Sequence, residues 1–200
     1  MKTFTNILFG TSLILAVFLS PFSASAGLKL DFLKKETRVN LEYDYSELKA
    51  GYGKCLPEQE FIAKQVGELN AKIPGSGDTW KSIWPAQRVI TWEPNFMNTL
   101  NKHLAQEKPP LEFGKFSDAR YTLILKVTEM KLHEQNVVFA ISDTLTSEAI
   151  FVESNNRTNV VAKINVGKVD GVALFCNPDI NGTYWKTGLE ISKIIKSKAR

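Results

Sequence analysis

Apolar and polar side chains alternate strictly in two stretches of the chain. Between Glu36 and Lys49, Val39, Leu41, Tyr43 and Tyr45 recur at every second position. That is the period of a half-buried strand, and Gly51 and Gly53 mark its end. Between Arg120 and His133 the same alternation runs through Tyr121, Leu123, Leu125 and Val127, slips near Glu129, and resumes at Met130 and Leu132. A slip inside a strict alternation predicts one long strand with a bulge or sharp twist. Shorter strands are predicted over Val137–Ile141, Glu148–Glu153 and Val160–Gly167, with the polar clusters 143–147 and 154–159 as hairpin turns.

A second period, of three and four residues, marks the helices. Phe61, Ile62, Gln65, Val66 and Leu69 follow Pro57 and predict a helix over 57–71. Glu93-Pro94 opens a second helix, faced by Met97, Leu100 and Leu104, and Pro109-Pro110 stops it after about Glu107. A third begins around Gly188, with Leu189, Ile191, Ile194 and Ile195 turned inward. Two stretches carry neither period. One is a Trp-rich insert at 73–92, read as a loop from Pro74-Gly75-Ser76-Gly77 followed by a short strand at Arg88–Trp92; the other is 169–186. The resulting order predicts an α+β fold: one curved, mostly antiparallel sheet with about three helices packed on one face.

The first 26 residues belong to a different pattern. Lys2 precedes an apolar run from Ile7 to Leu19, which ends in Ser20-Pro21 and the small residues Ala24, Ser25 and Ala26. This is the layout of a secretory signal peptide, and the run falls short of the roughly 20 apolar residues a spanning helix needs. A lipid-bearing Cys is absent from the position after the small residues, where Gly27 stands. The expectation is a signal peptide at 1–26 and a single domain at 27–200, periodic in pattern and released to the periplasm or secreted, with no transmembrane segment after cleavage.

Hydrophobic residues make up 44% of the chain, enough to bury a core of this size without staples. The net charge of +4 is spread along the sequence except at the tail, Lys193, Lys196, Lys198 and Arg200, so no basic stripe points to nucleic acid. Cys55 and Cys176 are the only cysteines. An oxidising compartment permits a disulfide between them, and two separate buried thiols are the alternative.

No complete catalytic, cofactor or metal motif is present. His103 and His133 have no second ligand at a recognised spacing, and Gly75-Ser76-Gly77 lacks the spacing of a nucleophile elbow. Gly51-Tyr52-Gly53-Lys54 is too short for a phosphate loop. Asn177-Pro178-Asp179-Ile180-Asn181-Gly182 starts like a calcium loop but has Gly188 where a bidentate Glu is needed, so it reads as a turn. The carboxylates Asp31, Glu42, Asp44, Glu129, Asp143 and Asp170 leave room for an exported hydrolase with an acid-based site. The candidate binding residues are Trp80, Trp84, Trp92 and Trp185, because flat rings bury much area with few torsions to freeze. The competing reading is that these rings cover the sheet.

The order of elements resembles a group of exported bacterial envelope domains, among them the amino-terminal domain of TolB and the lipoprotein activators of penicillin-binding proteins. The resemblance rests on the early alternating strand ending at Lys49, the strand YTLILKV after a helix, the paired strands EAIFVE and VVAKINV, and the terminal helix GLEISKIIKSK. It implies a non-catalytic envelope domain that works by contact with a protein or glycan partner, without a cofactor.

Overall fold

A computed structural model describes residues 28–133, 142–171 and 180–199. The signal segment, the strand expected at 137–141, most of the calcium-like loop and Cys176 lie outside the described residues. The strands are β1 (Arg38–Asp44), β2 (Lys49–Tyr52), β3 (Leu56–Pro57), β4 (Glu112–Gly114), β5 (Tyr121–Leu132), β6 (Thr144–Glu153) and β7 (Asn156–Asp170). The helices are α1 (Glu58–Lys72), α2 (Ser76–Gln87), α3 (Glu93–Leu104) and α4 (Ile180–Ala199). The fold is α+β, as the alternating and helical periods predict. No helix among the described residues is long and apolar enough to cross a membrane.

All seven strands join one open sheet centred on β5. On one side β5, β6 and β7 form an antiparallel meander, whose long ladders make the sheet mostly antiparallel. On the other side β1 and then β2 pair with β5 in parallel, β4 adds to β1 in parallel, and β3 closes back on β2. Parallel pairing needs a long crossover, and the chain supplies it through α1, α2 and α3 before returning as β4 and β5.

The slip near Glu129 is a bulge. Val127 pairs with Ser147 and Glu129 with Thr146, leaving Thr128 extra on β5. Leu123, Leu125 and Val127 face the core before it, Met130 and Leu132 after it, all buried. The extra residue resets the alternation so that one face stays apolar along the whole strand. That face meets Phe61, Phe96, Leu100, Tyr184, Ile191 and Ile195 from the helices in one hydrophobic cluster.

The stretch 73–92 keeps the expected loop only at 73–75; from Ser76 to Trp92 it is helical, with no strand at Arg88–Trp92. Gly75, at φ 83°, turns the chain sharply between α1 and α2. Ser76 Oγ donates to the Leu69 and Ile73 carbonyls, and Asn70 Oδ1 accepts from the Gly77 N–H at 2.7 Å, so the side chains tie off both helix ends. Residues Arg88–Trp92 form a π-helical turn that runs into α3, after Pro85 has removed an N–H from α2. The β-branched Val89 and Ile90 suggest a strand but stand exposed, while Trp92 is buried. Tertiary burial of the Trp overrides local propensity there.

Further boundaries differ from the sequence expectation: the strand expected over 36–49 stops at Asp44, and β6 starts at Thr144, inside the cluster 143–147 expected as a turn. The hairpin turn closes at Ser154–Asn155, and β7 extends over all of 156–170. Helix α4 begins by Ile180, within the stretch expected to be irregular, and includes Asn181 and Gly182 of the calcium-like segment. Gly188 is therefore mid-helix, and its role is close packing. A Cβ there would lie 2.7 Å from the Phe96 carbonyl oxygen, where α4 crosses α3. Gly67, inside α1, faces open space. Gly188→Ala should lower stability by about 1–3 kcal/mol, because the helices must separate, whereas Gly67→Ala should raise it by about 0.5–1 kcal/mol. Urea unfolding of both variants checks the opposite signs.

Candidate functional site

The sheet opens at one place, between β1 and β2. Asp44 lies opposite Lys126 and Lys49 opposite Glu129, so four residues, 45–48, span only Val127 and Thr128 of β5. The four fold into a turn in which the Leu48 N–H donates to the Tyr45 carbonyl at 3.0 Å. Asp44 Oδ1 accepts from the Ser46 N–H at 2.8 Å, and the bonds from Ser46 hold this carboxyl below its usual value. The turn also docks α1, because the Glu58 N–H donates to the Leu48 carbonyl at 3.0 Å. Across the gap sits the bulged Thr128, with Oγ1 donating to the Thr146 carbonyl at 3.3 Å. Two irregularities thus face each other in mid-sheet, and Val127 and Thr128 have no ladder partner on that side. The result is a cleft of about 830 Å³ lined by residues 45–49, 57–59, 128–129 and Thr146.

A charged and aromatic network stands behind the cleft. Arg88 from the π-helical turn pairs with Glu58 at the start of α1, and both side chains are largely buried. The same Glu58 Oε1 accepts from Trp84 Nε1 at 2.6 Å. The Arg88 guanidinium carbon lies 4.1 Å from the centroid of the Tyr45 ring, a cation–π contact that desolvation strengthens. Tyr184 donates to the Tyr45 hydroxyl at 3.2 Å, and Tyr45 in turn bonds the Glu93 carboxylate. The Tyr43 hydroxyl donates to the Glu93 carbonyl at 2.9 Å. Burial pushes the hydroxyls of Tyr43, Tyr45 and Tyr184 above the usual phenol value, which keeps them protonated donors. Burial also raises Glu93, against the opposing pull of Tyr45, Arg88 and Lys115.

The tryptophans are brought together, but as interior. Phe61 meets Trp80 and Trp84 at 5.8 and 5.4 Å, Trp84 meets Trp92 at 5.2 Å, and Trp92 stacks on Tyr184 at 5.9 Å. Trp84 and Trp92 are 6% and 4% exposed, and Trp80 packs against the core. Trp84 and Trp92 of the insert thus fill the layer between helices and sheet, as the competing reading has it, and Trp80 is partly buried beside them. Trp185, on α4, is the exposed one of the four at 43%.

The other candidates are dispersed. Asp31 pairs with Lys34, Glu42 with Arg157 and Asp170 with Lys168. Asp44 caps its turn, Asp143 accepts from the His133 N–H at 2.8 Å, and Glu129 lines the cleft. His103 sits in the last turn of α3, where a basic group suits the helix dipole. The Cys55 thiol is held above its usual value by burial and by Glu129, and donates to the Met130 carbonyl. Among the described residues, no three His, Cys, Asp or Glu side chains gather as they would around a metal ion. Sequence reasoning missed Glu47, Glu58, Arg88 and Glu93. One signal was available: Asp44-Tyr45-Ser46 is an Asx-turn pattern inside an alternating strand, where the period fails.

Fold and cleft together define an open-sheet α+β domain with a hollow at the break between two parallel-paired strands. The chain matches no protein-family model and no curated protein.

Glu93 carries a pH signature. A carboxyl raised in the folded state contributes stability below its unfolded value and loses it as pH rises through the folded value. Glu93→Gln removes that loss. Its denaturation midpoint should gain on wild type between about pH 3 and about pH 7, as chemical unfolding at the two pH values measures.

Proposed function

We infer that this chain is an exported, non-enzymatic domain of a bacterial cell envelope that acts by contact with a protein or glycan partner. The observation that carries this reading is the cleft. Its floor is the bulge at Thr128, which has no strand-pair partner on the β1–β2 side, while Glu47 and Glu58 are held by Lys126 at 2.6 Å and by Arg88. An interrupted ladder in an open cleft favours an extended segment or a polyhydroxylated chain laid along it. The secretory layout of residues 1–26 and the resemblance in element order to envelope domains support the periplasmic or secreted address.

A second reading, an exported hydrolase with a carboxylate site, draws on Glu47, Glu58 and Glu129 lining one cleft. One experiment separates the two. Cross-linking and pull-down from the host's envelope fraction should retain a specific partner with wild type and with Glu129→Gln, and lose it with Thr128→Arg, which fills the cleft from the half-buried bulge. Turnover of an envelope polymer by the purified protein, abolished by Glu129→Gln, would replace the contact reading with the hydrolase.

A further inference from the structure

We draw no further inference here: the strongest candidate, the exposed aliphatic patch of Ile83, Val89 and Ile90 on α2 and the π-helical turn after it, is an unpartnered apolar face, and nothing in the structure shows what covers it.

Discussion

A buried arginine must be paired, and the pairing of Arg88 with Glu58 is the constraint around which this fold is arranged. Removing one partner of a buried ion pair leaves an uncompensated charge and typically costs about 3–5 kcal/mol. Here the pair joins three elements that are distant in sequence. It ties the π-helical turn after α2 to the first turn of α1, and it lays the guanidinium against Tyr45 in the broken strand. The wide π turn places Arg88 where it reaches Glu58 while Trp92 enters the core and Trp84 donates to the same carboxylate. The break between β1 and β2, and with it the cleft, is held open from behind by this arrangement.

Much of the architecture was legible in the sequence because burial and period agree there. The alternation in β1 and β5, the bulge at Thr128, and the spans of α1 and α3 all follow from side chains that sort cleanly into one buried face. Legibility failed where tertiary contacts decide. Trp80 and Trp84 were placed on one face by their spacing, yet it is contact with Phe61 on α1 and with Trp92 that turns that face inward. Val89 and Ile90 have strand propensity but occupy a helical surface. Gly188 resembles a helix boundary and is in fact a close crossing with α3. The parallel pairing of β1 with β5 has no local signature, since it depends on a crossover of three helices.

The candidate site was legible only in part. Glu129 and the slip beside it were visible, and the Asp44-Tyr45-Ser46 turn left a trace in the failing alternation. Arg88, Glu58 and Glu93 could not be singled out, because nothing in their spacing brings them together. The open face shows the same limit. Asn40, Glu42 and Thr122 read simply as the polar half of two strands, and only the hairpin tip, bringing Ser154 and Arg157 across the sheet, turns them into a lined groove. At the cleft an interruption of regular pairing, not a sequence motif, creates the surface.

Glu58 and Arg88 act as one unit in holding the broken strand against the helices. A double-mutant cycle in equilibrium unfolding, using Glu58→Gln, Arg88→Met and the combined variant, tests it most directly. Each single variant should lose about 3 kcal/mol or more, and the double variant clearly less than the sum. Additive losses would contradict it and leave the cleft without its support.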